Sequence, residues 1–254
     1  FDQQLSREML EVQAAKGASA LTEIGAGVDV PVAVIMRNDL VQLEIMRAAA
    51  RAGTVIVALN WHGQADEVAA ICDDSGAQIV IIHRDLIDAV RPALNGRKMI
   101  GVTPGPALCA AYGIDEAAAN TDLDCPEWSA LVAAQAPLAQ REMMRPLMRY
   151  TSGSTGRPKG VRRTGSGPRK DFEAVLARVG AEMMRFKPGS GYFTAAPIYH
   201  SAPSTLTSSA LVSKGVSTFI APKFEPEAFL ATIEAQRITH IYLVPTMMSR
   251  LLKL

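Results

Sequence analysis

The apolar residues of this chain come in short, regularly spaced runs, and that rhythm limits the fold more than any other feature. "VAVIM" (32–36), "TVIVAL" (54–59) and "AQIVIIH" (77–83) are too short for helices and lack the alternation of a half-exposed strand. They read as strands covered on both faces. Between them lie segments with helical spacing, "LVQLEIMRAAARA" (40–52) and "QADEVAAICDDS" (64–75), then "DLIDAVRPAL" (85–94) and a strand near "KMIGV" (98–102). Asn38 or Asp39 can cap the first of these helices, and Gly53 and Gly76 stand where a left-handed C-terminal residue is cheapest. Strands separated by amphipathic helices predict an α/β fold of mostly parallel, doubly wound sheets with flanking helices.

Residues 103–146 are less regular. "TPGPALCAAYG" reads as a loop and "PEWSALVAAQ" as a short helix. Alternation resumes with strand "LMRYT", a Gly/Ser-rich loop and a helix across 169–186. Strand "GYFTAAP" (191–197), a helix over 202–213, strand "STFIA", helix "EPEAFLATIEAQ", strand "THIYLV" and a final helix from Thr246 follow. This order predicts two α/β subdomains, 1–145 and 146–254, the second opening with the loop. Phe1 in place of an initiating methionine, and helical patterns at both ends, predict a piece of a longer protein.

No run approaches the ~20 apolar residues of a membrane span, and no secretory signal pattern opens the chain. Cys72, Cys109 and Cys125 are too few and too scattered for a disulfide framework or a zinc site, so no metal ligands are assigned and a reducing cytoplasm is expected. Residues 1–140 carry 9 Lys/Arg against 18 Asp/Glu, a net −9, whereas residues 141–254 carry 17 against 7, a net +10. Arg157, Lys159, Arg162, Arg163, Arg169 and Lys170 cluster with no acid among them. Such a patch can meet nucleic acid, a membrane surface or a polyphosphate. Without a recognised binding module, and with sparse aromatics, nucleic acid is not expected as a partner.

The loop itself is "YTSGSTGRPKGV" (150–161). Successive amides around Gly153, Ser154, Thr155 and Gly156 can converge on an anion. Hydroxyls of Thr151, Ser152, Ser154 and Thr155 add donors, and Lys159 adds a mobile charge. A solvated linker shares this composition, but the position directly after a strand is where α/β sheets bind ligands. The nucleotide P-loop spacing is not met, because Lys159 is followed by Gly160 rather than by Ser or Thr.

Thr151 to Gly160 instead resembles, at every fixed position, the phosphate-binding signature of the adenylate-forming ligase superfamily, which includes acyl-CoA synthetases and peptide-synthetase adenylation domains. "VPVAVIMRNDLVQLEIMRAAARAGTVIVALN" is similar to that superfamily's early segment, "APIYHSAP" (196–203) to its Pro-x-x-His motif, and "THIYLVPTMM" to the segment before its adenine site. The resemblance covers nearly the whole chain and is strongest to long-chain fatty-acid and related acyl-CoA ligases. It implies ATP-dependent activation of a carboxylic acid to an acyl-adenylate, then thioester formation with coenzyme A. ATP would be held through Thr151, Ser152, Gly153, Ser154, Thr155, Gly156 and Lys159, Mg2+ would accompany it with no ligand assigned in this chain, and the catalytic residues would be Thr151, Lys159 and His200. His200 would orient the carboxylate. One departure is Thr164-Gly165, where many members carry Thr-His. The family's ribose and hinge motifs and its catalytic lysine do not occur, so the chain alone is expected to be inactive, its loop mobile without nucleotide. An amino-acid adenylation module and a non-catalytic nucleotide-binding fragment are the alternatives. The acid and the oligomeric state are left open, and His62, His83 and His240 receive no catalytic role.

Overall fold

The computed structural model describes residues 3–27, 29–119, 125–141, 143–144, 147–151, 159–161 and 167–254. The chain forms two compact units that divide between Arg169 and Lys170. The sequence placed a boundary at 145/146. It falls later because the strand at 148–151 hydrogen-bonds into the first unit's sheet.

In the first unit, helix α1 (Arg7–Glu23) precedes strand β1 (Val32–Ile35), helix α2 (Leu40–Ala52), β2 (Ile56–Ala58), α3 (Ala65–Ser75) and β3 (Ile79–His83). A turn of helix α4 (Ile87–Val90), flanked by 3-10 turns, then leads to β4 (Lys98–Val102). The helix expected over 85–94 is broken this way because Pro92 has no N–H to donate. Next come α5 (Pro106–Tyr112), α6 (Glu116–Ala119), α7 (Trp128–Ala133), β5 (Met143–Met144), β6 (Met148–Thr151), β7 (Lys159–Val161) and β8 (Gly167–Pro168). The segment expected to be a loop at 103–113 is largely α5. Pro106 sits in its first turn and Gly113, at φ 64°, closes it, so the residues that suggested a loop are in fact its terminators.

The main sheet runs β4-β3-β1-β2-β6-β7, all parallel except for the last pair. Every residue of β1 and β3 is buried. Val32, Val34, Ile79 and Ile81 face one core with Leu21, Ile45 and Trp128, while Ala33, Ile35, Val80 and Ile82 face the other with Val68, Ile71 and Leu94. Alternate residues thus feed opposite sides, and the absence of polar alternation in these strands follows from that double burial. Helix α1 lies on α2 at Gly17, where a Cβ would stand 3.0 Å from both Ala48 Cβ and the Trp128 ring.

The second unit begins with α8 (Arg169–Arg178), which continues as a π-helical turn through Met183 rather than as α-helix to 186. Ser209 and Ser213 press on Gly180 in that turn, and a Cβ there would lie 2.5 Å from the Ser213 hydroxyl. Then follow β9 (Gly191–Thr194), α9 (Ser201–Val212), β10 (Ser217–Ile220), α10 (Pro226–Ala235), β11 (His240–Tyr242) and α11 (Pro245–Leu251). The strands form a parallel sheet in the order β10-β9-β11. Its central strand sends Phe193 into one core, stacked on Phe229 with 4.6 Å between ring centroids, and Tyr192 into the other, with Leu206 and Ala210. Among the described residues no helix is long and apolar enough to cross a membrane.

Candidate nucleotide site

Strand order changes direction at β1. Chain leaving β1 enters β2 on one side, and chain leaving β2 returns to β3 on the other. In open α/β sheets ligands favour the crevice outside the carboxyl ends of such a pair. Here the chain's own side chains occupy that place. Arg37, 6% exposed, follows β1. Its Nη1 lies 2.8 and 3.0 Å from the two carboxylate oxygens of Asp85 beyond β3. The guanidinium carbon stands 4.6 Å from the Trp61 ring centre and 4.7 Å from that of Tyr112.

The Arg37 amide donates to His83 Nδ1 at 3.2 Å, and His83 Nε2 faces Asp39 Oδ2 at 3.3 Å. Asp39 also caps α2, accepting from the Val41 amide at 3.0 Å. His83, given no role from the sequence, is therefore a fully buried tie between the ends of two strands. On the crevice rim the imidazole of His62 has its pKa pushed below the ordinary histidine value, mainly by desolvation and further by Arg37.

The same edge of the sheet also carries the ends of β6 and β7. β6 runs parallel to β2, with Val57 beside Met148 and Ala58 beside Arg149, so it delivers its carboxyl end alongside those of the other parallel strands. The chain departs at Thr151 and comes back as β7, antiparallel to β6. The register pairs Arg149 with Val161, Tyr150 with Gly160, and Thr151 with Lys159. Seven residues, 152–158, therefore join two directly paired positions. Of the residues assigned to phosphate, the backbones of Thr151 and Lys159 are brought together. Ser152, Gly153, Ser154, Thr155 and Gly156 lie outside the described residues, as do Arg157, Arg162 and Arg163 of the basic cluster.

The stem of this hairpin is held by a residue the sequence did not single out. The Tyr150 hydroxyl donates to Asp74 Oδ2 on α3 at 2.5 Å. Burial, with the neighbouring carboxylate second, drives the phenol pKa well above its usual value. The only signal in the sequence was a tyrosine immediately before the Thr-Ser-Gly run.

His200 belongs to the second unit, where it is the exposed N-cap of α9. Its amide donates to Pro197 O at 3.1 Å, and its ring centre lies 4.3 Å from that of Tyr199. Desolvation lowers its pKa. It thus stands at the start of a twelve-residue helix with no capping bond from its side chain. His240, given no catalytic role from the sequence, opens β11 with its ring 4.9 Å from that of Phe186.

A mostly parallel six-stranded sheet with helices on both faces defines the doubly wound α/β class of fold. The particular family is plain from its sequence match: the chain belongs to the AMP-binding enzyme family, which it matches over residues 1–254. It is 28% identical over 238 residues to a feruloyl-CoA synthase of Amycolatopsis sp, covering 94% of this chain and 43% of that protein. It is 26% identical over 238 residues to an indoleacetate–CoA ligase of Aromatoleum aromaticum, covering 92% and 44%. Among solved structures, an acyl-CoA synthetase of Brucella canis superposes with a TM-score of 0.80 at 18% identity, over 99% of this chain and 44% of that one. A benzoate CoA ligase from Burkholderia xenovorans gives 0.76 at 20%, over 96% and 46%. At such identities these structures establish the fold alone. The chain spans less than half the length of the curated relatives it matches.

Proposed function

We propose that this chain supplies the phosphate-gripping part of an AMP-forming acid–thiol ligase. One observation carries the reading: the strand register sets Thr151 directly across from Lys159 at the carboxyl edge of the sheet, at the two ends of the signature loop. That arrangement brings the two ends of the loop together, so that its amides, hydroxyls and lysine would surround one polyphosphate. ATP would enter with Mg2+ on its phosphates. An oxygen of the substrate carboxylate attacks the α-phosphorus, the bond to the bridging oxygen breaks, and pyrophosphate leaves with the bonding pair. Residues Thr151 to Gly156 and Lys159 stabilise the charge that accumulates on the leaving group. His200 orients the incoming carboxylate. In a second step the thiolate of coenzyme A attacks the acyl carbon and AMP departs.

The acid is a fatty or related apolar acyl group in this reading. Curated relatives that act on feruloyl, indoleacetate, and medium- and long-chain fatty acyl groups support a carboxylic acid with an apolar body. The test is acid-dependent exchange of labelled pyrophosphate into ATP by the full-length protein, with fatty, cinnamic-type and arylacetic acids supplied in turn. At least one of these acids should support exchange, and Lys159→Ala should reduce it. Folded protein that exchanges with no carboxylic acid would rule the ligase out. The second reading is an amino-acid adenylation module, which the same Thr151–Gly160 signature allows, and amino acids in the same assay separate the two.

A further inference from the structure

We propose that Tyr150 is a positioning residue that locks the register of the phosphate hairpin, acting through Gly160 on one side and Asp74 on the other. This rests on the adenylation reading above and adds a residue outside the Thr-Ser-Gly signature to its machinery.

The hairpin needs such a device. β7 is three residues long and forms the outer edge of the six-stranded sheet. A stem of three residue pairs is barely stable alone, and a glycine in its middle weakens it further. Tyr150 lies directly across from that glycine. A Cβ built on Gly160 would fall 2.7 Å from Tyr150 Cζ, 2.9 Å from its Cε1 and 2.9 Å from Met148 Cε, so the ring, with the end of the flexible methionine beside it, occupies the space a side chain would take. An aromatic laid over a glycine on an edge strand restores the packing that the glycine gives up. The ring also packs on the core cluster of Val57, Val68, Ile71, Cys72 and Met148. Its hydroxyl ends on Asp74. A single side chain therefore ties β6, β7 and α3 together.

The consequence is a choice of register. Slipping β7 by one residue would put Lys159 or Val161 opposite Tyr150, and each brings a Cβ to a place where the ring leaves no room. Only the observed alignment keeps Gly160 under the ring, and that alignment sets Thr151 against Lys159. Tyr150 thereby fixes the distance between the two ends of the loop before nucleotide arrives, and the loop need not find that spacing during binding.

The test uses the full-length protein and three variants, Tyr150→Phe, Tyr150→Ala and Gly160→Ala. Pyrophosphate exchange is measured against both ATP and acid. Tyr150→Phe and Gly160→Ala should each raise KM for ATP about tenfold, a change of about 1.4 kcal/mol, while KM for the acid stays within about twofold and kcat changes little. The double variant Tyr150→Ala, Gly160→Ala should lose no more than the worse single variant, because one contact is removed twice. Amide hydrogen exchange supplies the reading that folding losses cannot imitate: protection should drop at Thr151, Gly160 and Val161 and persist in β1 and β3.

If KM for ATP stays unmoved in variants whose melting temperature falls, Tyr150 is a packing residue only and the proposal is overturned. Protection lost equally across the sheet overturns it too. Wild-type protein without acid-dependent exchange removes the adenylation reading and this role with it, whereas wild-type exchange with additive variants removes the register lock alone.

Discussion

Removing Asp85 should destabilise the first unit more than its exposure suggests, because the arginine it neutralises has nowhere to go. Arg37 and Asp85 have side chains 7% and 14% exposed. Breaking such a pair from one side costs about 3–5 kcal/mol when the remaining charge stays buried. Two features of this site reduce that figure. Trp61 and Tyr112 still face the guanidinium, and a cation near aromatic rings recovers about 0.5–2 kcal/mol. We therefore expect Asp85→Ala to cost about 2–3 kcal/mol, which for a unit of this size is a fall of about 4–12 °C in Tm. Arg37→Met should cost less, since the carboxylate it leaves behind is the more exposed partner and can be hydrated. The double variant should recover about 2 kcal/mol relative to the sum of the single changes. Urea unfolding followed by tryptophan fluorescence measures this cleanly, because both tryptophans, Trp61 and Trp128, lie within the first unit. A loss below about 0.5 kcal/mol for Asp85→Ala, or single losses that simply add, would refute the argument that the pair closes the crevice as a unit.

The same arginine holds the His62 pKa down, so Arg37→Met should move the His62 titration upward in proton NMR, though not to the ordinary value, because desolvation is the larger cause. Since the unfolded chain binds that proton more readily than the folded one, His62 makes stability fall as pH drops below ~6.5, and urea midpoints of His62→Asn should be flatter across that range. Glu44, which accepts from Trp128 Nε1 at 2.8 Å, has its pKa raised by burial. Its ionisation thus costs stability as pH rises from about 4.5 through the raised value. Glu44→Gln should remove this slope in urea titrations at several pH values while keeping the indole's acceptor, whereas Glu44→Ala should lose about 1–3 kcal/mol at every pH. Gly53→Ala, at a helix end with φ 72°, should cost about 1 kcal/mol in the same assay without changing m.

What the sequence revealed follows the range of each interaction. The strands of the main sheet were readable because burial on both faces leaves a local mark, an unbroken run such as Ile79–Ile82. Helix ends at Gly53 and Gly76 were readable because a left-handed residue is a one-residue requirement. Pro106 and Gly113 misled for the same local reason: residues that end helices also make loops, and only the six positions between them decide which. The unit boundary was misplaced because it depends on which strand β6 joins, and pairing with β2 some ninety residues earlier has no signature in the segment itself.

The candidate site divides along the same line. The residues proposed to carry the chemistry form a contiguous string in the sequence, as an anion gripped by neighbouring amides would require. The residues that hold the string in place were not, because each acts across the chain: Asp74 reaches Tyr150 from 76 positions away, and Asp85 reaches Arg37 from 48. Charged residues just beyond the apolar strands, in "MRND" and "HRD", were the visible hint that the sheet's carboxyl edge carries a polar network. That network has an effect on where a ligand can sit. With Arg37, Asp85, Trp61 and Tyr112 filling the place where strand order reverses, the ordinary crevice of a doubly wound sheet is taken. On the same edge β6 hands over to β7, and the residues that join them, 152–158, with Lys159 at their end, carry the glycine, serine, threonine and lysine of the signature.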